Sequence, residues 1–130
     1  MSVNLTPGEY RLGESIMRVL FVENDTHLCE AFRALAVSLG HVADVAHDGH
    51  QAMLLTSDNR YDTIFLDIGL PDVDGRDLCR RMRAAGPSKL ACVVAVTGDE
   101  RHVQEQSEYF DGAFLKPLTE DGFKAALNAC

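Results

Sequence analysis

The sequence has no long hydrophobic run. None of its apolar stretches approaches the roughly 18 uninterrupted residues that a membrane helix requires. Its first residues, MSVNLTPGEYRLGESI, also lack the basic start and apolar block of a secretory signal. These two absences predict a protein with no membrane partner and no secretory signal.

Positive charge is also scarce. The 130 residues include 12 Lys and Arg against 20 Asp and Glu, which gives a formal net charge of −8. Nucleic-acid binding depends on neutralising backbone phosphates, so this balance argues against direct nucleic-acid binding. An acidic surface suits a divalent cation or a basic partner, although solubility alone is enough to account for it.

Metal-binding motifs of cysteine and histidine are absent. The five histidines show neither H-x-x-x-H nor H-E-x-x-H spacing, and no C-x-x-C pair occurs among the four cysteines, Cys29, Cys79, Cys92 and Cys130. Cys92 lies in an apolar strand-like run, and two others lie in helical patterns. We therefore expect no zinc site and interpret the cysteines as buried free thiols of a cytoplasmic protein.

Short apolar runs alternate with helical or polar segments five times after a polar leader, residues 1–16. The strand-like runs are RVLFVE, HVADVA, YDTIFL, LACVVAVT and GAFL. Near-continuous apolar strands between amphipathic helices predict a parallel sheet that is covered on both faces. Ligands of such sheets bind beyond the carboxyl ends of the strands.

Polar or small residues follow four of the predicted strands: Glu23 and Asn24, Asp67, Thr97 and Gly98, and Lys116. Oxygen ligands of this kind suit Mg²⁺. A carboxylate can accept a phosphoryl group as a nucleophile, and a hydroxyl and an ammonium can stabilise the charge on that group. Each of these residue types therefore has a chemical use at this edge of the sheet.

The sequence resembles the receiver domains of two-component response regulators over residues 17–129. Four motifs carry the resemblance, each at a predicted strand end: VEND, DIGLPDVDG, VTG and LKP. Each motif alone is weakly specific, but four in this order are strong together. The resemblance implies a receiver domain over residues 17–130, with a flavodoxin-like, doubly wound sheet of five parallel strands and five helices. It also implies a signalling phosphoacceptor rather than a metabolic enzyme.

The resemblance assigns a role to each strand-end residue. Asp67 would accept the phosphoryl group, Thr97 would contact it, and Lys116 would pair with Asp67 and its phosphate. The Mg²⁺ ligands would be Glu23, Asn24, Asp67 and the backbone carbonyl of Gly69. A histidine kinase or histidine phosphotransfer protein would be the donor, and a downstream effector would bind the switched surface around the last two strands.

Two positions depart from the family pattern. Receivers usually carry a second acid where this chain has Asn24, and an aromatic residue where it has Ala113. Phe114 is adjacent to Ala113, but strand alternation should turn its ring to the opposite face. These departures support an alternative in which the chain is a degenerate receiver that binds partners without phosphorylation.

A second alternative is an aspartate-nucleophile phosphatase on a similar scaffold. Such enzymes share an Asp-x-Asp motif, whereas Asp67 is followed by Ile68 and Gly69, and the sequence has no G-x-G-x-x-G or Walker A stretch. We interpret Asp25 as a helix cap and the arginines at 80, 81 and 83 as a solvated helix face. We expect no DNA-binding domain after the last helix, since the sequence ends at Cys130.

Overall fold

A five-stranded parallel sheet forms the centre of the structure, a computed structural model that describes residues 16–104 and 109–130. The strands are β1 (Arg18–Val22), β2 (Val42–Ala46), β3 (Thr63–Asp67), β4 (Cys92–Thr97) and β5 (Gly112–Leu115). Their order is β2-β1-β3-β4-β5, and every pairing is parallel. The order reverses between β1 and β3, which is where ligands bind in doubly wound sheets.

Helices connect the strands and cover both faces of the sheet. They are α1 (Thr26–Ser38), α2 (Gly49–Asp58), α3 (Gly75–Ala84), α4 (Glu100–Gln104) and α5 (Glu120–Leu127). Four of them have eight or more residues, and α4 has five. The predicted flavodoxin-like fold is confirmed, with four full helices and one short one. Among the described helices, none has both the length and the apolar composition needed to cross a membrane.

Side chains from the residues preceding the helices satisfy the free amides of the first turns. Asp25 accepts hydrogen bonds from the amides of His27 and Leu28, so its predicted role as the cap of α1 is confirmed. Asp48 and Asp74 cap α2 and α3 in the same way. These caps fix the points at which the chain turns from the carboxyl edge of the sheet into a helix.

Two apolar clusters lie on opposite faces of the sheet. One packs β1 and β3 against α2 and α3, and the other packs the sheet against α1 and α5. In the second cluster the Phe65 ring stacks on Phe123 with a centroid distance of 5.2 Å, and both side chains are fully buried. The central strands β3 and β4 are buried throughout. This packing holds their carboxyl ends in fixed positions.

The cysteines only partly match the prediction. Cys29 and Cys79 are buried free thiols, as expected. Cys92 and Cys130 instead form a disulfide across 38 residues of sequence, so the prediction of free thiols was wrong for this pair. The packing of α5 against the sheet returns the chain to the first residue of β4, and spacing along the sequence does not reveal this contact.

The arginines of α3 also differ from one another. Arg80 and Arg81 are exposed, as predicted. Arg83 is half-buried: its guanidinium donates to the Tyr109 carbonyl at 3.1 Å and to the Asp111 carboxylate at 2.8 Å. The prediction of a solvated side chain was therefore wrong for Arg83, which ties α3 to the segment that enters β5.

Candidate functional site

Four strand ends bring the predicted side chains together at one edge of the sheet. Glu23 follows β1, Asp67 ends β3, Thr97 ends β4, and Lys116 follows β5. Glu23, Asp67 and Thr97 are only 3%, 8% and 5% exposed. Because burying a charge without a partner is costly, the two carboxylates require compensation from within the site.

Lys116 supplies that compensation. Its Nζ lies 3.3 Å from Asp67 Oδ2 and also forms an ion pair with Glu23 Oε1. Burial by itself would lower the pKa of Lys116, but the hydrogen bond to Glu23 and the charges of both acids outweigh it, and the pKa is raised. Lys116 is therefore an ammonium at neutral pH, shared between the two carboxylates.

Backbone amides bind the remaining carboxylate oxygens. The Gly69 amide donates to Asp67 Oδ1 at 3.0 Å, and the Asp25 amide donates to Glu23 Oε2 at 3.0 Å. The loops after β1 and β3 thus orient the acids that precede them. The predicted pairing of Lys116 with Asp67 is present, and so is a contact with Glu23 that the sequence did not predict.

The thiol of Cys29 also supports the loop after β1. Its Sγ donates to the Glu23 carbonyl at 3.2 Å. Burial, with a smaller effect from the charge of Glu23, raises the pKa of Cys29 to about 11. Cys29 is therefore a neutral donor at physiological pH and not a reactive thiolate.

Thr97 is followed by a glycine that faces open space. Its Oγ accepts a hydrogen bond from the Asp99 amide at 3.1 Å. A Cβ added at Gly98 would meet no heavy atom of the described residues within 4 Å, its chain neighbours aside. No described side chain or backbone atom outside Thr97 and Asp99 therefore crowds the position of Gly98, directly after Thr97.

The two departures from the family pattern have distinct surroundings. Asn24 is exposed next to buried Glu23. Ala113 pairs in register with Ala95, two residues before Thr97, so it faces the same side of the sheet as Thr97. Phe114 packs into the cluster against α1 and α5, on the opposite side as predicted. No ring from Phe114 therefore takes the place of the missing aromatic side chain.

The donor set fits a hard divalent cation. Glu23 and Asp67 bring two negative charges, of which the single ammonium of Lys116 neutralises one. Each described hydrogen bond or ion pair occupies one lone-pair direction of a carboxylate oxygen, and such an oxygen has two. The residual negative charge and the spare oxygen capacity are what Mg²⁺ requires of its protein ligands.

Comparison with known proteins identifies the family. A family model described as the response regulator receiver domain matches residues 19–128. The chain belongs to this family. Receiver domains of response regulators are signalling phosphoacceptors. In this chain, the carboxyl edge of the sheet carries Glu23, Asp67, Thr97 and Lys116.

Curated relatives of this receiver domain are longer proteins. The regulatory protein VanRB of Enterococcus faecalis is 31% identical over 102 residues, which cover 78% of this chain and 46% of VanRB. The two-component response regulator PhoP of Pseudomonas aeruginosa is 29% identical, with coverages of 87% and 51%. The chain thus spans about half the length of the curated relatives it matches.

Two solved structures similar to this receiver domain match it over nearly their whole length. The CheY-like receiver domain from Methylobacillus flagellatus has a TM-score of 0.78 at 29% identity. The match covers 88% of this chain and 98% of the Methylobacillus chain. The receiver domain of sensor histidine kinase PA1611 from Pseudomonas aeruginosa, solved with a magnesium ion in its active site cleft, has a TM-score of 0.77 at 25% identity, with coverages of 88% and 96%.

Two residues beside the site gave no sequence signal of their role. Cys29 read only as a core residue of α1, because its hydrogen bond to the Glu23 carbonyl depends on how the loop after β1 folds. Asp72 lies within the DIGLPDVDG motif, but acidic residues are common in turns, so its presence there indicated no particular function. Its contacts appear only in the folded chain.

Proposed function

We propose that this receiver domain takes a phosphoryl group from a partner's phosphohistidine onto Asp67, with Mg²⁺, and thereby switches a surface that an effector binds. The observation that carries the proposal is the Lys116 ammonium shared between buried Asp67 and buried Glu23. A carboxylate oxygen can attack phosphorus as a nucleophile, and an ammonium 3.3 Å away can stabilise the negative charge on the transferred group.

The transfer would proceed in one displacement. An Asp67 oxygen bonds to phosphorus as the bond from phosphorus to the imidazole nitrogen breaks, and the imidazole leaves with the electron pair. Lys116 stabilises the negative charge on the transferred group. The Thr97 hydroxyl would donate to a phosphate oxygen, and Gly98, the next residue, has no side chain that could obstruct the group.

Glu23, Asp67, the Gly69 carbonyl and Asn24 would hold the metal. A bound Mg²⁺ would neutralise charge on the phosphoryl oxygens during transfer. Glu23 keeps its carboxylate oriented through the Asp25 amide and Lys116, so the acid is in place before a cation arrives. Asn24 brings an oxygen without charge, and we expect weaker Mg²⁺ binding than in a site with two acids at these positions.

The partners follow from the chemistry. The donor would be a histidine kinase or a histidine phosphotransfer protein, and a downstream effector protein would bind the surface near β4 and β5.

We propose residues 17–130 as the receiver domain, which the family match over 19–128 supports. We propose residues 1–16 as a leader, which lies outside the described residues except for Ile16. The expected location is the cytoplasm, where the Cys92–Cys130 disulfide is an unusual feature.

The substitution Asp67→Asn tests the acceptor. The wild-type protein, incubated with Mg²⁺ and a small phosphodonor such as acetyl phosphate, should gain the mass of one phosphoryl group. Asp67→Asn removes the nucleophilic oxygen and nearly preserves shape, so labelling should vanish while the fold survives. Asp25→Asn is the matched control: it changes another Asp at the same edge, keeps a capping oxygen, and should label normally.

Labelling of Asp67→Asn at wild-type stoichiometry would place the acceptor elsewhere. A wild-type protein that folds and takes no phosphoryl group from small donors or from a kinase would favour the degenerate receiver. Turnover of generic phosphate esters would point instead to the phosphatase.

A further inference from the structure

The loop between β3 and α3, residues 68–74, is attached to a different helix through Asp72; we name it the acceptor loop. One oxygen of the Asp72 carboxylate accepts a hydrogen bond from the Gly49 amide at 2.9 Å, and the other accepts from the His50 amide at 3.1 Å. Gly49 and His50 are the first two residues of α2, where backbone amides have no partner within the helix. Asp72 is therefore a cap for α2 that comes from the acceptor loop.

This attachment is charge-assisted. The hydrogen bond from the Gly49 amide, with a smaller effect from the His50 amide, lowers the pKa of Asp72. Asp72 is therefore a carboxylate at neutral pH, and hydrogen bonds to a charged acceptor are stronger than those between neutral groups.

Close packing fixes the same contact. A Cβ built at Gly49 would lie 2.3 Å from Val73 Cγ1, well inside contact distance. The loop therefore approaches α2 so closely that a side chain at position 49 would require Val73 to move. Within the loop, the Leu70 side chain is buried in the apolar core.

The other end of the acceptor loop is closed on itself. The Gly75 amide donates to the Ile68 carbonyl at 3.3 Å, and a Cβ at Gly75 would lie 2.9 Å from Ile68 Cα. Between these two attachments lies Gly69, whose amide donates to Asp67 Oδ1. The position of the loop therefore sets the orientation of the acceptor carboxylate.

We propose that Asp72 is a positioning residue for the phosphoacceptor site: by binding the first turn of α2, it holds the Gly69 segment against Asp67 and keeps the loop in the form that binds Mg²⁺. This role rests on the proposed function of Asp67. It predicts that loss of the Asp72 carboxylate affects a site that Asp72 does not touch.

Asp48 provides a matched control within the same helix. It also caps α2, by accepting from the Gln51 amide at 2.8 Å, but it belongs to the loop before α2 and not to the acceptor loop. Asp48→Ala and Asp72→Ala each remove one carboxylate cap from the start of α2. Both should lower thermal stability, but only Asp72→Ala should affect the acceptor loop.

The experiment measures two quantities. The first is the Mg²⁺ affinity, by titration, and the second is the rate of amide exchange at Gly69 in the metal-free protein. Asp72→Ala should weaken Mg²⁺ binding about tenfold, a loss typical of residues that orient metal ligands, and should speed exchange at Gly69. Asp48→Ala should change neither quantity. Asp72→Asn, which keeps the shape and one acceptor oxygen, should give intermediate values and serves if the alanine variant does not fold.

Equal Mg²⁺ affinity and equal Gly69 exchange in the Asp72 and Asp48 variants would overturn the positioning role and leave Asp72 as a structural cap. The two proposals fail separately. A wild-type protein without Mg²⁺ binding or phosphoryl labelling would refute the proposed function, whereas Gly69 exchange tests the hold of Asp72 on the loop without metal or phosphate.

Discussion

Lys116 contacts both buried acids of the site, and this determines how the neutral Asn24 should behave. The Lys116 ammonium and any bound Mg²⁺ are attracted to the same two carboxylates. A metal ion must therefore bind next to an ammonium, with only one net negative charge to attract it. A third acid at position 24 would double that net charge.

The substitution Asn24→Asp should strengthen Mg²⁺ binding. Two opposite unit charges 4 Å apart attract each other by about 4 kcal/mol at an effective dielectric of 20 but by only about 1 kcal/mol in water. Because Asn24 is exposed and a new carboxylate is repelled by Glu23, we expect a gain near the lower value, roughly a fivefold fall in dissociation constant. Titration of metal-free protein measures it.

Asn128→Asp adds the same charge at another exposed position, just after α5, and should leave the affinity unchanged. Affinity that is unchanged or weaker in Asn24→Asp would remove residue 24 from the metal site.

The residues of the site differ in how far the sequence could predict them. The shared position of Glu23, Asp67, Thr97 and Lys116 could be predicted because each ends or directly follows an apolar strand, and parallel strands place their ends at one edge. The contact of Asp72 with α2 could not, because it depends on where the acceptor loop lies relative to a helix about 20 positions earlier. Residue type and spacing carry no information on such a contact.

At the scale of elements, the strands were the easiest to predict and α4 the hardest. Continuous apolar runs such as LACVVAVT contain buried strands. In this run, β4 begins at Cys92, two residues after the start of the run. The segment GDERHVQEQSEYF has no apolar period, and α4 occupies only Glu100–Gln104 of it among the described residues. Near the end of this segment, the Tyr109 carbonyl accepts a hydrogen bond from Arg83 of α3.

Phosphorylation should therefore be reported by the backbone of this segment. Ala113 has no ring that could move with Thr97, so a change in Thr97 has to pass through the chain that follows it. We expect amide exchange in residues 98–110, of which 105–108 lie outside the described residues, to change when a phosphate mimic such as beryllofluoride binds with Mg²⁺.

The second half of α2, residues 53–58, lies beyond the amides that bind Asp48 and Asp72 and should keep its exchange rates, so it serves as the internal reference. Unchanged exchange over residues 98–110 at full occupancy of Asp67 would mean that no switch of this kind operates.

At the scale of the whole molecule, the disulfide is the feature that the sequence least allowed us to predict. Cys92 begins β4, and Cys130 lies three residues beyond α5, so the bond joins the chain's last described residue to the central sheet. Its formation depends on the packing of α5, through Phe123, against Phe65 of β3. Only the assembled fold brings the two sulfur atoms together.

Removal of this disulfide should lower the free energy of unfolding. In the chain-entropy account, a cross-link over 38 residues contributes about 3–4 kcal/mol by restricting the unfolded chain. Cys130→Ser, at an exposed position, should show this loss in urea denaturation without reductant. In the presence of reductant, the variant and the wild-type protein should unfold alike. Equal stability under both conditions would mean that the bond contributes nothing.

Gly49 and Val73 lie so close together that we expect the residues at these two positions to vary together. Gly49→Ala alone should lower the free energy of unfolding by about 1–3 kcal/mol, because the new methyl group would lie 2.3 Å from Val73 Cγ1, and the valine would have to leave its rotamer or the loop would have to shift. Val73→Ala should remove the clash, so the double variant should be more stable than the sum of the single losses predicts, with a coupling of about 0.5–3 kcal/mol. A double-mutant cycle of unfolding free energies measures it, and strict additivity would contradict it. Homologues with a side chain at position 49 should then carry a smaller residue at position 73, so this compensation should be visible in natural sequences as covariation.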